Sequence, residues 1–191
     1  MRLRGSTLVI TIATLVALAG CGSGKPPRTP FTVPPAASTS AGTAAVDPKH
    51  GSVSGLDTKG DGGAADILDV TLTLSAAAMT VSYKLARPLP TTGTAMLSLL
   101  VSSHGGDQSR QLAVKYIDGE PLVFVFDSAA TPMQTNLVLP PRHLDSTLTV
   151  DFPPVHVAGL GASFEWHVVS TIDGTDVDEY PNVGAEAVFP A

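Results

Sequence analysis

Three observations predict an all-β protein: apolar and polar residues alternate in several short runs, Gly, Pro and Asp separate those runs, and no stretch keeps a helical period. The expected architecture is a two-sheet antiparallel β-sandwich of the immunoglobulin or jelly-roll kind, with about seven or eight strands.

The runs follow one another along the chain. Leu68, Val70, Leu72 and Leu74 alternate with Asp69, Thr71 and Thr73, and Met79, Val81, Tyr83 and Leu85 alternate with Thr80, Ser82 and Lys84. Period two places one face of each run against a core and the other toward water, and the short Ser-Ala link between them predicts a hairpin. MLSLLV (96–101), QLAVKYI (111–117), PLVFVF (121–126), TLTVDF (147–152) and SFEWHVV (163–169) continue the pattern. Asp118-Gly119 separates two of these runs and predicts a tight turn. Val155 to Leu160 has room for one helical turn at most.

The N-terminus has a different texture. Residues 1–20 carry Arg2 and Arg4, then an apolar stretch from Leu8 to Leu18, then small residues: the layout of an export signal. The apolar stretch is shorter than the roughly 20 residues of a membrane-spanning helix. Leu18-Ala19-Gly20-Cys21 resembles the lipobox of bacterial lipoproteins at all four positions. That resemblance implies cleavage before Cys21 and acylation of its thiol, hence a protein anchored in the cell membrane by lipid and exposed outside the cytoplasm. Two or more acyl chains, at about 0.8 kcal/mol per buried methylene, hold a protein to a bilayer stably.

Cys21 is the only cysteine, so an acylated chain has none left for a disulfide and the fold must rest on its core. Residues 21–50 hold six prolines within a background of Ala, Ser, Thr and Gly and read as a disordered tether. Residues 51–191 then form one sandwich domain. The chain has 11 basic and 17 acidic residues, and removal of the signal takes away two arginines and no acid, so the mature charge moves from −6 to −8. Such a surface excludes nucleic acid as a partner, because phosphate contacts need lysine and arginine. It also leaves the acyl chains to do the anchoring.

Aspartates cluster in two places. "GLDTKGDGGAADILDV" (55–70) holds Asp57, Asp61, Asp66 and Asp69, and a second stretch read as an acidic loop holds Asp173, Asp176, Asp178 and Glu179. Calcium takes six to eight oxygen ligands, and these seven aspartates with loop carbonyls supply several if the sandwich brings the two stretches together. The spacing is not that of an EF-hand, and aspartate and glycine are also the ordinary residues of turns. Two readings follow, a structural calcium site and turn chemistry, and turn chemistry is the favoured one.

The same residues carry a resemblance. Asp57-Thr-Lys-Gly60-Asp61-Gly-Gly-Ala-Ala-Asp66-Ile67 ahead of an alternating strand, with Phe164-Glu-Trp166 and Asp178-Glu-Tyr-Pro181 near the end, resembles secreted bacterial sandwich domains related to the DOMON and family 9 carbohydrate-binding modules. The alanine-rich composition with a lipobox is similar to actinobacterial lipoproteins. These resemblances imply export and fold, and leave the ligand unspecified.

No motif carries catalysis. His50, His104, His143, His156 and His167 form no His-x-x-x-His pair, and no serine lies in G-x-S-x-G. The chain is therefore expected not to be an enzyme. Sugar platforms need exposed aromatics, and Tyr180 is the aromatic suspected of exposure, whereas Trp166 alternates with core positions. The favoured expectation is a non-catalytic envelope lipoprotein whose sandwich binds a protein or glycan partner or serves another exported protein. The alternative is a carrier of a lipid, cofactor or small molecule in a pocket between the sheets, which requires hundreds of cubic ångströms of enclosed apolar space.

Overall fold

The computed structural model describes residues 47–182 and 185–190. The residues read as an export signal, Cys21 and those read as a tether up to residue 46 lie outside the described residues. The remainder is an all-β sandwich of two antiparallel sheets. Its strands in chain order are β1 (Gly51–Leu56), β2 (Ile67–Leu74), β3 (Met79–Leu85), β4 (Thr94–Ser103), β5 (Ser109–Ile117), β6 (Glu120–Asp127), β7 (Gln134–Leu137), β8 (Arg142–Leu144), β9 (Thr147–Phe152), β10 (Phe164–Ile172), β11 (Thr175–Tyr180) and β12 (Ala187–Phe189). One sheet runs β1-β2-β3-β9-β8; the other runs β11-β10-β4-β5-β6-β7, with β12 also paired to β10.

Every alternating run of the sequence is a strand, and the expected number is nevertheless too low. The five additional strands, β1, β7, β8, β11 and β12, all lie at sheet edges. An edge strand has a neighbour on one side only and buries less, so selection for alternation is weak there. QTNL in β7 and RHL in β8 are exposed almost throughout. TDVDEY, read above as an acidic loop, is β11, paired with β10 from Val168↔Tyr180 to Ile172↔Thr175.

Turn chemistry explains how the sheets are held in register. Asp118-Gly119 is the tight turn expected between β5 and β6, with φ of 50° and 85°. Asp173-Gly174 makes the corresponding turn between β10 and β11, with φ of 48° and 81°. Both are fastened to the start of β4: Gly93 N donates to Asp118 Oδ1 and Thr94 N donates to Asp173 Oδ1, each at 2.8 Å. The β2–β3 turn closes on Ser75, whose Oγ accepts from Ala77 N and Ala78 N. Pro154–His156 is a single 3₁₀ turn, in keeping with the one turn expected there.

The core lies between the sheets and is apolar. Val70, Leu72, Val81 and Tyr83 of one sheet and Leu97, Leu99, Leu112, Val114 and Trp166 of the other are almost fully buried. Residues 47–50, at the end of the segment read as tether, rest on the domain: Gly159 N donates to Asp47 Oδ1 at 3.0 Å and Lys49 N to Ala162 O at 3.3 Å.

Candidate metal centre

β1 ends at Leu56, and Asp57 follows while its backbone N still donates to Leu68 O on β2 at 3.0 Å. The chain then loops through Asp61 to Asp66. Asp66 is 4% exposed, and its carboxylate accepts from Gly60 N and Gly62 N at 3.0–3.1 Å, which folds the loop back on itself. From the other sheet, Asp178 on β11 reaches across and its Oδ2 accepts from Ile67 N at 2.6 Å. Gly62 leaves room for this: a Cβ there would lie 2.4 Å from Asp178 Oδ2.

Asp57, Asp61 and Asp178 each place a carboxylate oxygen within 4.8 Å of the others. Oxygens no farther apart than this can share one cation, since two ligands on opposite sides of a calcium ion stand about 4.8 Å apart. Asp57 Oδ1 accepts from Thr58 N at 2.8 Å, whereas Asp57 Oδ2 is buried with no hydrogen-bond partner. Asn182 lies alongside, its side-chain amide 3.2 Å from Asp57 Oδ1 and 3.5 Å from Asp61 Oδ2. Its amide oxygen, turned inward, would be a fourth oxygen ligand. Among the described residues no Lys or Arg side chain forms an ion pair with these three aspartates.

The electrostatics follow from burial and crowding. Burial raises the pKa of Asp57, the Thr58 N–H opposes it, and the charges of Asp61 and Asp66 raise it further. Burial likewise raises Asp178 against the Ile67 N–H, with Asp57 adding to the rise. The Tyr180 hydroxyl is raised by burial and then by Asp57 and Asp69. Two half-buried carboxylates that resist ionisation, Asp57 and Asp178, beside the exposed Asp61 are an arrangement a divalent cation relieves.

Of the seven aspartates offered as ligands, three converge and four do other work. Asp66 closes the loop as described. Asp69 sits opposite Leu56 and Lys84 in the sheet and accepts from Thr71 Oγ1 at 3.4 Å. Asp173 makes the β10–β11 turn, and Asp176 Oδ1 accepts from Thr171 Oγ1 at 2.9 Å. Loop, turn and sheet contacts thus account for Asp66, Asp69, Asp173 and Asp176, and Asp57, Asp61 and Asp178 are the three that come together. Asn182 was missed because a single amide after Tyr180-Pro181 carries no motif.

The suspicion that Tyr180 is an exposed platform is also corrected. Its ring is partly buried against Trp166, with centroids 5.6 Å apart, and a Cβ on Gly55 would fall 1.8 Å from its hydroxyl. Trp166 is 1% exposed, the core position expected for it.

A second concavity opens between the sheets beside β5 and β9. It is a cleft of about 220 Å³ lined by Leu85, Leu89, Tyr116, His143 and Leu148. The Tyr116 hydroxyl, pushed up to about 12 by burial, hydrogen-bonds His143 Nε2 there.

Fold and site together define a class: an all-β sandwich with an acidic centre where its two sheets meet. No family model matches the chain, and neither the curated proteins nor the solved structures contain a significant match.

Proposed function

We propose that the mature protein is a lipid-anchored module of the cell envelope, exposed outside the cytoplasm and attached through acyl chains on Cys21. Its sandwich binds a protein or glycan partner, or serves another exported protein. A calcium ion held by Asp57, Asp61 and Asp178 locks the two sheets together at the end from which β2 starts. The DOMON and family 9 resemblance belongs to this reading, as does the Cys21 anchor. The observation that supports the calcium is the meeting of Asp178 of one sheet with Asp57 and Asp61, which follow β1 of the other, at a place where Asp57 Oδ2 is buried without a hydrogen-bond partner.

The carrier reading draws on the cleft at Tyr116, which at about 220 Å³ is below the roughly 300–1,000 Å³ of drug-sized ligand sites. The space between the sheets is filled by side chains such as Trp166, Tyr83 and Phe152, each at most 1% exposed. A binding surface therefore fits this sandwich better than an enclosed store.

Native mass spectrometry and melting curves of the full chain in detergent test the calcium. At 100 times the dissociation constant a bound ion adds about 2.7 kcal/mol. For a domain of this size that raises the Tm by roughly 10 °C. A mass gain of one calcium and a Tm that falls by this order in EDTA are expected. An unchanged mass and Tm would leave the cluster without a metal.

A further inference from the structure

Outside the acidic centre, the fold assembles a second constellation that no sequence motif announces. β4 and β10 are paired so that Phe164 faces Ser103 and Glu165 faces Ser102. One residue beyond the end of β4, His104 lies beside Ser163 and Glu165. Its Nδ1 is 2.9 Å from Glu165 Oε1, and its Nε2 is 3.0 Å from Ser163 Oγ.

The chemistry of the partners decides the protons. An ionised carboxylate only accepts, so Glu165 holds the neutral imidazole as the tautomer protonated on Nδ1. The lone pair of Nε2 is then directed at Ser163, whose hydroxyl donates to it. A nucleophile bonded to a base, itself oriented by a third group, is the arrangement that defines acyl-transfer sites on unrelated folds.

The surroundings leave the imidazole open to solvent, and a groove runs along the same sheet. His104 is 51% exposed and Glu165 28% exposed at their side chains. Gly105 and Gly106, next in the turn, have no atom within 4 Å of where a Cβ would lie. On the same sheet, His167, Leu100, Gln111 and Phe126 stand in one cross-strand row. With Arg110, Ser109 and Ser128 they line a groove of about 480 Å³ that also reaches Ser102, the strand partner of Glu165.

We propose that Ser163 is an activated nucleophile that takes the acyl group of esters of small apolar acids, with His104 as general base and Glu165 as its positioning residue. Ser163 Oγ attacks the ester carbonyl carbon while its proton passes to His104 Nε2. The tetrahedral adduct collapses with loss of the alkoxide, which leaves as the alcohol by taking that proton, and Ser163 remains acylated. Water, deprotonated by His104, then releases the acid and restores Ser163. This goes beyond the binding role and departs from the expectation that the chain has no catalytic chemistry.

The test is covalent labelling of the full chain with a fluorophosphonate, mapped by peptide mass spectrometry with exposed Ser52 as the internal comparison. Ser163 is expected to be phosphonylated far faster than Ser52, and p-nitrophenyl butyrate to release one equivalent of p-nitrophenol in a burst. His104→Ala should slow labelling about 100-fold, the lower end of what a positioned base contributes. In Glu165→Gln labelling slows at unchanged Tm, and ¹⁵N NMR shows His104 losing its Nδ1-protonated tautomer. The rates hold in EDTA, which separates this result from the fate of the calcium reading. Labelling of Ser163 at the rate of Ser52 in the unmutated protein would overturn the proposal and leave the three residues as a cross-strand hydrogen-bond bridge. That comparison needs no variant to fold.

Discussion

Asp57 concentrates the tension of the acidic centre in one side chain. One of its oxygens is bonded and the other is buried and bare, with two more carboxylates close by. Its folded pKa is raised, so without metal the folded state holds a proton more tightly than the unfolded chain does. Stability from this group is present at low pH and is lost as pH rises from the usual aspartate value, about 4, through the folded pKa. Asp57→Asn removes the charge and keeps an oxygen for Thr58 N. In EDTA at pH 7 the variant is expected to melt a few degrees above the unmodified protein. The two should converge as pH falls and Asp57 protonates, and added calcium should no longer raise the variant's Tm. A variant that melts lower in EDTA at pH 7 would show that burial and the neighbouring carboxylates do not penalise the Asp57 charge. Asp127 and Asp151 titrate in the opposite sense. The Asp127 pKa is raised by burial but lowered overall, mainly by its hydrogen bond to Arg110, and that of Asp151 is lowered chiefly by its bond to Arg142. Their contribution is present above about pH 4 and disappears as pH falls through the depressed folded values.

Among elements, the crossing of β11 over the start of β2 decides whether the sheets stay together at this end. Ile67 N has no partner on β1; it donates to Asp178 across the sheets, beside the bulge between Ile67 and Asp69. Gly62 permits that approach. Gly62→Ala would push Asp178 away and leave a buried N–H unpaired, at about 1–3 kcal/mol. Denaturant melts should show that loss together with the loss of any calcium response, and a neutral result would mean the loop moves aside freely. The same element illustrates what could be read beforehand. Central strands such as β2, β3 and β4 announced themselves by alternation, because both of their edges are bonded and one face is buried. β11 did not: its register carries Asp176, Asp178 and Glu179, which look like a loop until β10 pairs with them. The Asp173-Gly174 turn offered the same dipeptide as Asp118-Gly119, and the acidic residues after it hid the signal.

At the scale of the whole molecule, the proposed anchor and the sandwich make separate predictions. Cys21→Ser should move the protein from the membrane fraction to the soluble fraction and remove the diacylglycerol mass, while the melting curve of the sandwich stays where it was. Retention in the membrane would sink the lipid anchor. The amino-acid sequence determined the all-β class and the central strands, because period-two burial and turn chemistry are local properties of the chain. It also confined the candidate carboxylate ligands to two acidic stretches, without Asn182. Only the tertiary structure decided which aspartates meet, since Asp57 and Asp178 are joined by the packing of β1 and β11 from different sheets and Asp66 is turned inward by two amides. It likewise decided the neighbourhood of Ser163, His104 and Glu165. His104 and Ser163 are 59 positions apart, and strand register between β4 and β10, which spacing along the chain does not encode, brings them to hydrogen-bond distance.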